Sequence, residues 1–391
     1  MNHIISVIER FFPLSGGSET QLFNLSKSLI RYDLNNIVIT KQFANLSKYE
    51  TVNGIEIHRI SKSNIKCASK INSLKFLLFF IPSAIFKILK FRKKIIGVYF
   101  VGGNYFYGLI AWVCKKYNLP TYLKIVTNID GEIGHLKGGR FLKSIKRKLA
   151  NNIDYIISTT SYIEGALLKE GYNKNKIVFI PNGLDTNIFR PKDDKISNST
   201  ASKVMDNNYK FIIYTGRLSR HKNIDLLMRS FIAIKNHSYC AKWKLIILGD
   251  GKMIDDSVEY ELKDLANNNP YSNDIIFTGK VDDVYNYLKL SSIFVLPSTS
   301  EGLPNCLLEA MSCGLACIGS DVIGINDLIK HSYNGLLFDL DASGRSLIES
   351  LNLLILDDKL QSKLSSNARK YILSNNTLDI VSKKYLKLFS T

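Results

Sequence analysis

The sequence predicts an α/β protein of two successive domains, and three observations carry that prediction. Short runs rich in Ile, Val and Phe alternate with longer segments of helical apolar spacing, as in parallel sheets joined by crossover helices. Turn residues gather at the ends of those runs, as at 12–17 and 297–304. A polar stretch at 192–208 then breaks the alternation near the middle of 391 residues, a length sufficient for two cores.

In order, residues 3–8 read as the first strand and 12–17 as a loop. Ser18 then caps a helix whose apolar face carries Leu22, Leu25, Leu29 and Ile30. This is a half-Rossmann opening in which the Gly16-Gly17 backbone can approach a ligand; a tight turn without one fits equally, since no G-x-G-x-x-G follows the strand. Strands are expected at 36–40, 54–60, 95–101, 120–126, 154–158 and 176–180, with helices at 105–117, 139–150 and 161–170. After a turn at 181–185 and Pro191, a second series of strands is expected at 210–215, 244–248, 274–277, 293–297, 315–319 and 335–338. The tail, 342–391, reads as successive helices. Domains of 1–190 and 191–370 follow, with 371–391 packing back on the first.

Charge is unevenly placed. Residues 1–190 hold 28 basic and 11 acidic side chains, a net of +17, against 24 and 23 in the remainder, a net of +1. A basic half beside a neutral one implies an anionic partner for the first half, or else a solvated basic face. No nucleic-acid-binding module accompanies the charge, which points to an anionic membrane surface instead. Residues 71–90 are the most apolar stretch, but Lys75, Pro82, Lys87 and Lys90 interrupt it. It therefore reads as a core helix or an interfacial one, not a spanning segment. Residues 137–148 add six basic side chains around Phe141, Leu142 and Ile145. Six cysteines lie in apolar segments without a C-x-x-C pair, and 4–8 is too short for a signal segment. A reducing, cytoplasmic setting follows as the expectation.

The chemistry concentrates in 297–314, PSTSEGLPNCLLEAMSCG. A buried strand ends there, a Ser/Gly/Pro loop carries Glu301, and a helix capped by Asn305 brings Glu309 about one turn in. Two carboxylates flanking a helix N-terminus, itself an anion site, suit a sugar attached to a phosphate. Gly216, Arg217 and Lys222 follow the strand 210–215, where fixed cations can neutralise a diphosphate or simply be solvated. Gly249 and Gly279 close two further strands as ligand loops or ordinary turns.

These residues resemble the retaining glycosyltransferases of family 4. The likeness rests on Gly216-Arg217-Leu218 with Lys222, Gly249-Asp250-Gly251, Phe277-x-Gly279 and SEGLPNCLLEAM, together with Gly16-Gly17-Ser18-Glu19 and IPNGLDTNIFRP at 180–191. It implies the GT-B fold, two Rossmann-like domains facing across a cleft with C-terminal helices crossing back. It further implies a UDP- or GDP-linked sugar donor and retention of configuration. Arg217 and Lys222 would hold the diphosphate, Glu301 the transferred sugar, and Glu309 the ribose. The stretch Gly302, Leu303, Pro304, Asn305 and Leu308 would support sugar and phosphate, and Phe277, Gly279 and Lys280 would border the base. Gly16 and Gly17 would close on the donor from the first domain.

The resemblance also implies that no metal or other cofactor is needed, and the one Asp-x-Asp, Asp339 to Asp341, in a turn after a strand, reads as structural. Many members place a histidine after the middle strand of the first domain. Here that segment, 123–139, reads LKIVTNIDGEIGHLKGG with Asn128 near that position. Members that build bacterial surface polysaccharides such as capsule and O-antigen look similar here. Lys124, Asn128, Asp130, Glu132 and His135 are therefore acceptor-side candidates, with no general base assigned. The expected activity is transfer to a saccharide on a lipid-linked acceptor at the inner face of the plasma membrane. The competing readings are a non-catalytic or partner-dependent subunit of the same fold and a sugar-nucleotide epimerase, although epimerases lack the Glu301–Glu309 element.

Overall fold

A computed structural model describes residues 2–14, 16–43, 45–63, 76–126, 144, 147–192, 200–252 and 256–391. The chain forms two compact units, Met1–Gly183 with Leu378–Thr391, and Leu184–Thr377. The division thus falls at 183/184 and 377/378, where the sequence suggested 190/191 and 370/371.

Unit 1 is built on eight strands: β1 (Asn2–Val7), β2 (Leu34–Phe43), β3 (Tyr49–Val52), β4 (Ile55–Ser63), β5 (Ile95–Val101), β6 (Thr121–Lys124), β7 (Tyr155–Ser158) and β8 (Ile177–Phe179). Their order is β3-β4-β2-β1-β5-β6-β7-β8. All pairs are parallel except β3–β4. Side chains alternate across a strand, so consecutive residues of β1 enter two cores. Ile5 and Val7 join Ile37, Ile39 and Phe100 under the helices Ile81–Phe91, Tyr107–Lys115 and Ser161–Lys169. Ile4 joins Val38, Tyr99 and Tyr122 under Gly17–Ile30 and Leu378–Phe389. The last helix is fixed to this sheet by aromatic contacts. Tyr385 meets Tyr99 edge-on at 5.6 Å with the hydroxyls 3.1 Å apart, and Phe389 meets Tyr122 at 4.8 Å.

Two expectations need correction here. The first helix is capped by Gly16, not Ser18: Thr20 N–H donates to the Gly16 carbonyl at 3.0 Å, which places Ser18 inside the first turn. The strand β3 was not anticipated, because YETV is short and polar and stays half exposed at the sheet edge.

Unit 2 has six parallel strands: β9 (Lys210–Thr215), β10 (Trp243–Leu248), β11 (Ile275–Gly279), β12 (Ile293–Leu296), β13 (Ala316–Ser320) and β14 (Leu336–Phe338). Their order is β11-β10-β9-β12-β13-β14. β9, β10 and β12 are buried nearly throughout, as continuous apolar strands between helical layers are. The helices Arg345–Leu356 and Asp358–Asn375 complete its core through Leu347, Leu351, Leu364, Ala368 and Ile372. Among the described residues, no helix is long and apolar enough to cross a membrane. Cys114, Cys240, Cys313 and Cys317 are buried free thiols, and Cys306 is a partly buried one.

Candidate active site

The order of unit 2 sets the place of the site. From β9 the chain winds outward through β10 and β11, then returns to the other side of β9 with β12 and winds outward again. Such a reversal opens a crevice at the carboxyl ends of the two central strands. Arg217 and Lys222 follow β9, and Glu301 follows β12. The two loops are tied together, since the Thr299 N–H donates to the His221 carbonyl at 2.8 Å and the Thr299 hydroxyl donates to it at 3.1 Å.

Lys222 and Glu301 meet directly. The Lys222 Nζ donates to Glu301 Oε1 at 2.5 Å, with each side chain only about a tenth exposed, 11% and 10%. A second donor fixes the same oxygen: Ser298 Oγ, on a fully buried residue, donates at 2.6 Å. The loop under Ser298 is held in turn by the Ser320 hydroxyl, which donates to the Ser298 carbonyl at 2.5 Å. Ser298 and Ser320 were not singled out in the sequence. The available signal was a serine three residues before Glu301 at the mouth of a buried strand, where a buried hydroxyl needs a partner.

The helix Asn305–Ser312 begins one residue earlier than expected. Pro304, with φ −72 and ψ 116, is the N-cap, and its carbonyl accepts from the Leu308 N–H at 3.3 Å. A proline cap brings no side-chain acceptor of its own, and the dipole of the helix that starts there favours an anion. Glu309 stands on this helix with no side-chain partner among the described residues. It keeps part of its surface in solvent, yet burial pushes its carboxyl up to about 8. Lys222, Glu301 and Glu309 all act electrostatically on the Cys306 thiol. Burial, the largest influence, pushes that thiol up to about 12.

Glycines shape the floor. A Cβ on Gly249, whose φ is +140, would fall 1.8 Å from the Gly216 carbonyl oxygen, so β9 and β10 meet there as bare backbone. A Cβ on Gly324 would fall 1.7 Å from the Gly302 carbonyl oxygen. Gly279 turns the chain at φ +68 after β11, beside a half-buried Phe277 and an exposed Lys280. Arg217 is exposed and its guanidinium has no ion-pair partner among the described residues. His221, against Ser219 at 3.1 Å and Asp256 at 3.5 Å, is held below its ordinary pKa by burial and by Lys222.

The remaining candidates lie in other settings. Leu303 and Pro304 are buried, and Leu308 is wholly inside the core, so it supports the helix and presents no side chain. Asn305 and Gly302 are half-buried. Asp341 accepts from Ser343 Oγ and from the Arg345 and Ser346 N–H groups, the work of a helix-start turn. In unit 1, Gly16 and Gly17 open the first helix. Lys124 is 4% exposed at the end of β6, donates to Asn182 Oδ1 at 2.8 Å, and is brought down to about 7 by burial. Asn128, Asp130, Glu132 and His135 lie outside the described residues.

Two Rossmann-like units of this topology are the GT-B fold of glycosyltransferases. The structure of HepE from Anabaena in complex with UDP-glucose superposes with a TM-score of 0.76 at 16% identity, covering 99% of both chains. By sequence the chain belongs to the glycosyltransferases of family 4 and group 1. Residues 15–188 match the family described as Glycosyltransferase Family 4, and residues 196–371 match Glycosyl transferases group 1. An Escherichia coli relative is 32% identical over 210 residues, which span 53% of this chain and 52% of that one. It is named UDP-Gal:alpha-D-GlcNAc-diphosphoundecaprenol alpha-1,3-galactosyltransferase. A Campylobacter jejuni relative, 24% identical over 91% of this chain and 90% of its own, is an alpha-1,4-N-acetyl-D-galactosaminyltransferase named for a diNAcBac-PP-undecaprenol-linked acceptor.

Proposed function

We propose that the chain is a retaining, metal-independent glycosyltransferase. It moves a sugar from a UDP- or GDP-linked donor to a saccharide on a lipid diphosphate, in the synthesis of a bacterial surface polysaccharide such as capsule or O-antigen. The observation that carries this reading is the paired Lys222 and Glu301 beside the N-terminus of the Asn305–Ser312 helix, with Glu309 on that helix lacking a side-chain partner among the described residues. The lipid-linked acceptors in the relatives' names favour the acceptor class, and the UDP-glucose bound by the structural neighbour favours the donor class.

In this reading the donor diphosphate lies against Arg217, Lys222 and the first-turn N–H groups of the Asn305–Ser312 helix. Those cations and dipoles stabilise the charge that grows on the leaving phosphate. Glu309 accepts hydrogen bonds from the ribose hydroxyls, and Glu301, held by Ser298 and Lys222, binds the hydroxyls of the transferred sugar. Phe277 to Lys280 border the base. The bond from the anomeric carbon to the phosphate oxygen breaks as the acceptor oxygen bonds to the same face. The acceptor proton passes to the leaving phosphate, so no side chain is required as base. The protein works at the cytoplasmic face of the membrane that holds the acceptor, and no nucleic acid is involved.

A panel of UDP- and GDP-sugars offered with a lipid-diphosphate saccharide tests this. One donor should release nucleotide and extend the acceptor, in the presence of EDTA, with the anomeric configuration kept. Inversion, or loss of turnover with EDTA that added metal restores, would contradict it.

A further inference from the structure

Among the described residues of unit 1, exposed apolar side chains and a lysine-lined cavity lie side by side. The helix Ile81–Phe91 and the turn Phe76–Phe80 before it bury Phe76, Phe80, Ile81, Ala84 and Ile88 against the sheet. Their opposite side exposes large apolar groups beside Lys90: Leu78 is 55% exposed, Phe79 60% and Phe86 69%. A cluster of exposed Leu and Phe side chains edged by lysines suits a second medium that is apolar inside and anionic at its surface.

Beside Phe86 opens a cavity of about 820 Å³ between this helix and the β3–β4 edge of the sheet. Lys48, Lys62 and Lys87 line it, and none of the three has a carboxylate within ion-pair distance among the described residues. Arg59 also lines it but is neutralised by Glu50, so the three ammonium groups set the charge of the cavity. His58, on its wall, is held below its ordinary pKa by burial first and by Lys87 second, as expected in a cationic recess.

We infer that this face seats on a bilayer containing anionic phospholipid: Phe79 and Phe86 enter the interface, and a lipid phosphate occupies the Lys48–Lys62–Lys87 cavity. Exposed aromatic groups supply the apolar part of interfacial binding, and clustered lysines supply the part selective for anionic headgroups. Neither group belongs to the donor site. The inference rests on the lipid-linked acceptor reading only in its choice of partner.

The test is co-sedimentation of the full chain with vesicles of phosphatidylcholine alone or mixed with phosphatidylglycerol. The expected result is binding to the mixed vesicles that weakens with added salt, and little binding to phosphatidylcholine. Lys48→Glu/Lys62→Glu/Lys87→Glu should reduce binding to mixed vesicles by more than about tenfold, and Phe79→Ser/Phe86→Ser should reduce it comparably. Lys48, Lys62, Phe79 and Phe86 are exposed and Lys87 is half-buried, and unchanged thermal unfolding confirms that the variants fold. Equal binding to both vesicle types, no binding to either, or full binding by both variants would overturn the inference. Transfer to a water-soluble acceptor analogue is measured alongside. Variants that lose vesicles but keep that turnover support a separate membrane surface, whereas a wild type that binds vesicles but transfers nothing contradicts the transferase reading alone.

Discussion

Replacing Ser298 with alanine isolates one link of the donor site. The Ser298 hydroxyl donates to Glu301 Oε1 at 2.6 Å, beside Lys222, which donates to the same oxygen at 2.5 Å. A hydrogen bond to a charged group contributes about 1.5–3 kcal/mol. If Glu301 works on the sugar in the transition state, losing that constraint should lower kcat by about tenfold to about a hundredfold. The loop itself should hold its place, because Ser320 donates to the Ser298 carbonyl, which alanine keeps. Nucleotide release at saturating donor reads kcat, and titration with free UDP or GDP reads the diphosphate part of the site. The expected pattern is a fall in kcat with nucleotide affinity nearly unchanged, and partial recovery in Ser298→Thr. A kcat equal to wild type, or a loss that matches the fall in thermal stability and recovers on cooling, would refute a positioning role.

Further outcomes follow from the same geometry. Burial raises the Glu309 carboxyl from 4.5 to about 8, so the folded protein binds this proton more tightly than the unfolded chain. Stability from this group is complete below about 4.5 and is lost as pH rises through about 8. Glu309→Gln should therefore gain thermal stability relative to wild type across that window, and parallel melting curves at every pH would contradict it. Ribose hydroxyls that donate to this carboxylate favour its ionised form, so calorimetry near neutral pH should detect proton release on nucleotide binding to wild type and none with Glu309→Gln. Gly249→Ala forces a Cβ to 1.8 Å from the Gly216 carbonyl oxygen. Strain at its positive φ adds about 1–3 kcal/mol of destabilisation, and both a lower melting temperature and lost donor binding should be seen.

Much of the fold was legible because β9, β10 and β12 of unit 2 are buried on both faces and therefore appear as unbroken apolar runs. β9, Lys210–Thr215, coincides with the run read at 210–215, and β5, Ile95–Val101, with that at 95–101. Caps were harder to place. Ser18 and Asn305 are good capping residues by type, but the carbonyls of Gly16 and Pro304 start the two helices, and only backbone geometry reveals that. β3 escaped because a four-residue polar edge strand carries almost no burial signal. In the site, Glu301 and Lys222 stand 79 positions apart, and the reversal of strand order at β9 and β12 is what brings them together. The burial of Lys124 is likewise a tertiary fact, since the Asn182 that accepts its hydrogen bond lies 58 residues along the chain.

The central claim is that Lys222 and Glu301 act as one donor-binding unit. Removing one partner would leave a poorly solvated charge without its counterion, whereas Lys222→Met/Glu301→Gln removes both and should leave a folded, neutral site. Steady-state nucleotide release by this double variant, with the donor and acceptor that wild type uses, is the direct measurement. A loss of at least about a hundredfold in kcat with a melting temperature near wild type is the predicted result. Wild-type turnover by the same folded variant would contradict the account.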